Sequence, residues 1–250
     1  MQNILVEACC GSVDDVYEAA SAGVGRVELN SAMFLGGLTP SVGEVKTALG
    51  AGVPIMAMVR PRQGGFCYTQ REYQTMLVDA ETLLEAGAAG IVFGILHEDG
   101  TVDEKRCAPL VQIAKEHGKQ AVFHRAIDVT PDWKAALDVL LCLKIDRVLT
   151  SGQQPSVRDG ADTVRLMREY ADGRIEILPG AGITLKNVKS IIKETGCDQI
   201  HVLLEKPHRD HSTAARGEIY FGGALYPPEN MFTIADSAQF TSLLSAIRER

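Results

Sequence analysis

The sequence has few aromatic residues and no long apolar run. Phe, Trp and Tyr make up 6% of the 250 residues and glycine occurs 24 times, which fits a repeating βα scaffold better than a β-sandwich. Acidic residues, glycine or proline interrupt every apolar stretch before the ~20 residues that a membrane helix needs. A formal net charge of -7 argues against general binding to nucleic acid. We therefore expect neither a membrane nor a nucleic acid as a partner.

The sequence also lacks the marks of export and of a structural zinc site. Its first residues, Met1–Asn3, carry no basic region and lead into no signal-type apolar segment, so we expect a cytoplasmic protein. There are six cysteines, but no pair has the Cys-x-x-Cys spacing, and thiols stay reduced in the cytoplasm. We expect neither a disulfide framework nor a structural zinc site, and no nicotinamide, flavin or Walker-type motif is present.

What the sequence does contain is a regular alternation of short apolar strands and amphipathic helices. With 46% hydrophobic and 23% charged residues, the chain can bury a sizeable core. Polar turns and glycines separate the elements, and period-2 and period-3.6 patterns alternate along the chain. The predicted strands are Ile4–Cys9, Arg26–Asn30, Pro54–Arg60, Gly90–Leu96, Gln120–Ala126, Arg147–Ser151, Arg174–Pro179 and Gln199–Leu204.

Eight such units in this length predict an α/β fold, a single (β/α)8 TIM-type barrel that spans residues 1–250. A doubly wound open sheet is the alternative, but it rarely needs eight such regular units. Capping boxes are predicted at Ser41 with Glu44 and at Thr69 with Glu72. A long loop after strand 8, residues 205–233, is rich in proline and glycine and without pattern, so we interpret it as an irregular lid or contact arm.

Polar residues collect where the predicted strands end. In a barrel these carboxyl ends meet on one face, where active sites lie. Carboxyl and imidazole side chains there could transfer protons, and the candidates are Glu7, Glu28, His124, Asp128 and His201. Arginines and glycine-rich turns, one of them leading into a helix capped by Thr184, could bind an anion of a small-molecule ligand; the candidates are Arg60, Arg62, Arg125, Ser151, Gly152, Gly180 and Gly182.

Strand alternation sorts the first of these residues by direction. Glu7 and Cys9 share one face of strand 1, and Cys10 points to the other. Glu28 on strand 2 takes the matching face. Charge inside a barrel is costly unless it is paired, so we predict that Arg60 bridges at least one of the two glutamates. The set could be a structural ion-pair network at the barrel mouth or a site for a polar substrate.

Seven segments resemble the copper homeostasis protein CutC family. They follow one another in order from about residue 4 to His201. They are Val6–Cys9, Arg26–Leu29, Gly36–Ser41, Arg60–Phe66, Phe123–Asp128, Arg147–Gly152 and Pro179–Thr184. The resemblance implies a TIM-type barrel, a cytoplasmic location, a homodimer and copper(I) handling.

The resemblance also implies a metal ligand. Cys9 matches a cysteine proposed in the family as a copper(I) ligand, whereas the partner position at the end of strand 2 is Asn30 here. An amide is a poor ligand for a soft ion that prefers sulfur, so we expect weakened copper(I) binding and no cofactor that the chain requires.

Two functions of different class follow. The resemblance implies a copper homeostasis protein. The residue chemistry favours an enzyme, a lyase, isomerase or hydrolase, that acts on a small anionic or hydroxylated metabolite by carboxylate and histidine acid–base chemistry.

Overall fold

The computed structural model describes residues 4–221 and 230–248. In these residues no helix is both long enough and apolar enough to cross a membrane. Eight strands alternate with helices along the chain, and each strand lies close to its predicted position. They are β1 (Leu5–Cys10), β2 (Arg26–Leu29), β3 (Ile55–Met58), β4 (Gly90–Phe93), β5 (Gln120–Phe123), β6 (Arg147–Thr150), β7 (Glu176–Pro179) and β8 (Gln199–Val202).

The eight strands form one parallel sheet in the order β7-β6-β5-β4-β3-β2-β1-β8. The first strand pairs with the last, with Glu7 of β1 opposite His201 of β8, and β7 lies beside β8. The sheet therefore curves into a nearly closed barrel. This closure confirms the (β/α)8 prediction and rules out the open-sheet alternative.

In the part of the chain that the structure describes, eight α-helices surround the barrel: α1 (Val13–Ala22), α2 (Val42–Ala48), α3 (Gln70–Glu85), α4 (Glu104–Glu116), α5 (Trp133–Cys142), α6 (Ala161–Ala171), α7 (Val188–Thr195) and α8 (Ser237–Arg248). Both predicted capping boxes form, at the starts of α2 and α3. The prediction that Thr184 caps a helix is wrong. Asn187 is the N-cap of α7, and its side chain accepts a hydrogen bond from the Thr184 backbone N–H at 2.7 Å.

The barrel has two differently packed faces, as strand alternation requires. Outward-facing residues, Cys10 among them, join the hydrophobic core between sheet and helices. Inside the barrel a small apolar cluster is formed by Met56, Met58, Val92 and Val122. Buried polar and charged side chains, among them Glu7, Glu28 and His201, occupy much of the remaining interior, and this division positions the site.

The segment after β8 departs from the prediction. Its two ends pair as antiparallel strands, β9 (Glu205–Arg209) and β10 (Met231–Ala235). The interpretation of 205–233 as irregular is therefore wrong at both ends, because backbone pairing satisfies the polar groups that the loose pattern left unassigned. The middle of this predicted lid or arm, residues 222–229, lies outside the described residues.

Candidate functional site

A cavity of about 260 Å³ opens at the carboxyl ends of the strands. Its volume is below the ~300–1,000 Å³ that is common for drug-sized ligands, so it suits a small molecule or an ion. Its lining combines sulfur, carboxyl, imidazole and guanidinium groups with apolar walls. The lining residues are Cys9, Glu28, Asn30, Met33, Gly36, Met58, Arg60, Phe66, His124, Arg125, Leu149 and His201.

Three of these residues form a compact set of ligating atoms. One such atom from each of Cys9, Glu28 and His201 lies within 4.8 Å of the other two, and all three residues are buried. Asn30 holds the set in place: its Nδ2 donates to Glu28 Oε1 at 3.0 Å and lies 3.7 Å from Cys9 Sγ. β8, β1 and β2 are neighbours in the sheet, which is why residues so far apart in sequence meet here.

Glu7 lies behind this set and does not line the cavity. Its Oε1 is 2.8 Å from His201 Nδ1, and its Oε2 forms an ion pair with Arg26 Nε. The prediction that Arg60 bridges a glutamate is wrong. Arg26 takes that role because the β1–β2 register places it directly opposite Glu7.

Burial and neighbouring charges set the protonation of this group. Burial raises the pKa of Glu7, but the hydrogen bond and charge of His201, together with Arg26, outweigh this effect and lower the pKa to about 2. Burial lowers the pKa of His201, but Glu28, Cys9 and Glu7 outweigh that effect and hold it well above its usual range. Burial also raises the pKa of Glu28 and brings that of Cys9 to about 11. The negative charge around the imidazole of His201 thus stabilises a positive charge at this position.

Arg60 serves the loops around the cavity mouth. Its Nη1 donates to the carbonyl oxygens of Gly36 at 2.9 Å and Gly37 at 3.0 Å, and its Nη2 to that of Gly64 at 2.8 Å. Gly37 has a φ of +79° and packs so closely on Asn30 that a Cβ atom would collide with the Asn30 amide. The glycine-rich turn therefore lets the backbone wrap the guanidinium of Arg60.

His124 directly follows β5, and its imidazole is buried in the cavity wall. Its Nδ1 accepts the backbone N–H of Ala126 at 3.1 Å. Burial first, and the positive charge of Arg60 second, lower the pKa of His124 to about 3. Gly94, directly after the neighbouring strand β4, leaves room for the ring, since a Cβ there would overlap it. His124 is therefore a neutral imidazole held in one orientation.

Asp128 joins the loops after β5 and β6. Its carboxylate accepts from Arg125 Nε at 2.9 Å, Thr150 Oγ1 at 2.5 Å and Ser151 Oγ at 2.8 Å. The backbone N–H groups of Ser151 and Gln153 also donate to it. Arg125 lines the cavity, whereas Asp128 and Ser151 lie behind it. Asp128 is thus placed to position Arg125.

The other predicted anion-binding residues do not line the cavity. Arg62 pairs with Glu72 at 2.7 Å and is partly exposed. The Gly152 N–H donates to Thr150 Oγ1 at 2.9 Å, and the Gly180 N–H donates to the Thr150 carbonyl at 3.0 Å. Gly182 has a φ of +78° and lies near Ser156. The structure therefore brings together Cys9, Glu28, Arg60, His124, Arg125 and His201.

Sequence reasoning did not single out Arg26 and Phe66, two residues that position side chains of the site. Arg26 could have been found, since it shares a strand face with Glu28 and neighbours β1 in a parallel sheet. Phe66 lies in the segment Arg60–Phe66 that carries the resemblance, but it was not named as a site residue. Its ring contacts both His124, with centroids 4.8 Å apart, and Arg60, whose Cζ lies 5.4 Å from the ring centroid.

A family model and individual relatives of known sequence point to the same family. The model of the CutC family matches residues 4–205. A family protein CutC from Treponema denticola is 51% identical over 248 residues, covering 99% of this chain and 100% of that protein. The copper homeostasis protein cutC homolog of Homo sapiens is 34% identical over 240 residues, 96% of this chain and 87% of that protein.

Solved structures that superimpose on this chain include a member of the same family. The crystal structure of CutC from Streptococcus agalactiae superimposes with a TM-score of 0.75 at 33% identity, over 79% of this chain and 97% of that one. Deoxyribose phosphate aldolase from Aeropyrum pernix superimposes with a TM-score of 0.58 at 20% identity, over 79% of this chain and 84% of that one. The second similarity shows the shared barrel fold alone.

Proposed function

The chain belongs to the CutC family, and from this premise we propose that it binds copper(I) at Cys9, Glu28 and His201. The relatives named copper homeostasis proteins support the choice of metal. The cytoplasmic location and the homodimer remain predictions from the resemblance.

The observation that carries the proposal is the contact between Glu7 and His201. Histidines that bind metals usually donate their second ring nitrogen to a carboxylate, which fixes the ring. Here Nδ1 of His201 faces Glu7 at 2.8 Å, which leaves Nε2 available. Arg26 in turn holds Glu7 from the other side.

The donor set fits copper(I) in part. The thiol of Cys9 and the imidazole of His201 suit a soft ion, whereas the carboxylate of Glu28 is a harder ligand. The thioether of Met58 lines the same cavity and is a further soft donor. Asn30 supplies an amide where a second thiol would bind more strongly. The set therefore supports copper(I) binding of reduced affinity and also accommodates a borderline ion such as Zn²⁺.

A titration of the reduced full chain against a chromogenic copper(I) chelator tests this proposal. We expect one equivalent to bind, and we expect Cys9→Ser and His201→Asn to abolish binding. Cys142→Ser is the matched control, because Cys142 is an exposed thiol on α5. Binding that survives Cys9→Ser would show that the site lies elsewhere. Preference for Zn²⁺ over copper(I) would overturn the choice of metal.

An enzyme is the second candidate function, and the openness of the site favours it. Three protein ligands beside a cavity leave a coordination position free, as in catalytic rather than structural metal sites. Glu28 is the carboxylate that lines this cavity, so it is the candidate proton-transfer group of a lyase, isomerase or hydrolase. A metabolite screen with the wild type and Glu28→Gln tests this candidate. Equal turnover by the two proteins would exclude Glu28 as a catalytic group.

A further inference from the structure

A methionine of the loop after β2, Met33, lies in the wall of the cavity. It begins a short 3₁₀-helix, Met33–Leu35, three residues beyond Asn30. The residue is partly exposed. Among the described residues it belongs neither to the hydrophobic core between sheet and helices nor to the apolar cluster inside the barrel. Packing in a core, the usual role of a methionine, therefore does not account for its position.

Gly11 brings the side chain of Met33 to the end of β1. Gly11 directly follows this strand, and a Cβ atom built on it would overlap Cγ of Met33. The missing side chain of Gly11 thus leaves the space in which Met33 lies. Cys9 precedes Gly11 by two residues and lines the same cavity as Met33. The thioether is therefore carried next to the strand end that bears the thiol.

Hydrogen bonds hold the backbone of the loop that carries Met33. At its base, Ser31 and Leu38 exchange two backbone hydrogen bonds of 2.9 and 2.8 Å. Nη1 of Arg60 donates to the carbonyl oxygen of Gly36 at 2.9 Å, directly after the 3₁₀-helix. The backbone is thus in place before an ion binds, and only the flexible side chain of Met33 has to turn towards it.

We propose that the sulfur of Met33 is a further copper(I) ligand, which joins Cys9, Glu28 and His201 and makes the site prefer copper(I) to Zn²⁺. This inference rests on the copper(I) site proposed above. Three protein ligands beside a cavity leave a coordination position free, and Met33 lies in the wall of that cavity. A thioether is a soft ligand that suits copper(I), whereas Zn²⁺ is bound by thiolate, imidazole and carboxylate.

Met58 lines the same cavity but is the weaker candidate for this ligand. It is 5% exposed and packs with Met56, Val92 and Val122 inside the barrel. A turn of its side chain towards an ion would leave a void in that cluster, which is costly. Met33 is part of no such cluster in the described residues, so its sulfur can bind an ion without this loss.

The experiment compares the reduced full chain with Met33→Leu, which replaces the thioether by an apolar group of similar volume. In competition with a copper(I) chelator we expect at least about tenfold weaker binding by the variant. Zn²⁺ affinity, measured with a zinc indicator, should change by less than about twofold. Copper X-ray absorption should show one sulfur neighbour fewer in the variant. Met231→Leu makes the same exchange at a 41% exposed position on β10 and should leave all three measurements unchanged.

Each contrary result overturns the proposal. Unchanged copper(I) affinity or an unchanged number of sulfur neighbours in Met33→Leu would show that Met33 is not a ligand. An equal loss of Zn²⁺ affinity would show that Met33 acts through packing and not through its sulfur. Loss of the sulfur neighbour in Met58→Leu but not in Met33→Leu would assign the ligand to Met58.

Failure of this inference is distinguishable from failure of the copper(I) site itself. If the wild type binds no copper(I), the site and its additional ligand are both wrong. If the wild type binds copper(I), Cys9→Ser abolishes that binding and Met33→Leu leaves it unchanged, only the assignment of Met33 is wrong.

Discussion

Nδ1 of His201 lies 2.8 Å from Oε1 of Glu7, although the two residues are 194 positions apart in the chain. The contact exists because β1 and β8 pair where the barrel closes, with these residues opposite each other. Arg26 completes a row of three buried charged groups. The orientation of His201 towards the cavity thus depends on closure of the fold.

Substitution of Glu7 tests this dependence. Glu7→Gln keeps the shape but leaves Arg26 and His201 without their carboxylate, so we expect unfolding free energy to fall by about 3 kcal/mol or more. Copper(I) affinity should fall by about 10–100-fold, as for other groups that orient a metal ligand. Urea denaturation and chelator competition measure the two effects. Glu85→Gln, at an exposed position on α3, is the control, and an equal loss in both variants would contradict this view.

Substitution of Asn30 tests the identity of the metal ligands. Its Nδ2 lies 3.7 Å from Cys9 Sγ, so Asn30→Cys would place a second thiol beside that of Cys9. We expect copper(I) affinity to rise by at least about tenfold, or 1.4 kcal/mol. Competition with a chelator measures the change, and Asn30→Ser, which adds no soft ligand, should show no gain. A gain in Asn30→Ser as well would mean that sulfur is not the reason.

Substitution of Asp128 should affect stability. Its carboxylate accepts hydrogen bonds from Arg125, Thr150 and Ser151, so Asp128→Ala leaves several buried donors without an acceptor. We expect a loss of about 3 kcal/mol in unfolding free energy, measured by urea denaturation. Asp162→Ala, whose side chain is 94% exposed, should stay within about 0.5 kcal/mol of the wild type. Comparable stability of the two variants would refute the view that the hydrogen bonds to Asp128 stabilise the fold.

The buried neutral His124 predicts a pH dependence of stability. Its folded pKa is about 3, whereas an unfolded histidine titrates near ~6.5. Between these values the unfolded state binds the extra proton, so stability falls as the pH falls through this window, by up to ~1.4 kcal/mol per pH unit from this group. His124→Asn lacks this contribution. The difference in unfolding free energy between wild type and variant should therefore shrink from about pH 7 to about pH 5, as followed by urea denaturation, and a constant difference would contradict the assignment.

Local sequence signals were sufficient for the elements and their faces. The capping boxes at Ser41 and Thr69 form because a side chain and a backbone N–H three residues apart need no distant partner. Alternation along β1 correctly separates Cys9 in the cavity from Cys10 in the outer core. The regular eight-unit pattern likewise predicts the barrel, since parallel strands need crossover helices.

These local signals did not predict which side chains and strands pair when they lie far apart in the sequence. The sequence places Arg60 near the glutamates by strand order alone, yet its guanidinium binds loop carbonyls while Arg26 pairs with Glu7. The antiparallel pairing of β9 and β10 brings together segments that carry no clear alternation.

The sequence by itself therefore determined the barrel, its element boundaries to within a few residues, and which polar groups gather at the strand ends. Only the tertiary structure decided which of these groups touch. The register between strands and the path of the loops are set by packing over the whole barrel, and a shift of one residue would turn every side chain of a strand to the other face. That is why Glu7, Arg26 and His201 form one row, and why the side chains of Arg60 and His124 meet on the ring of Phe66.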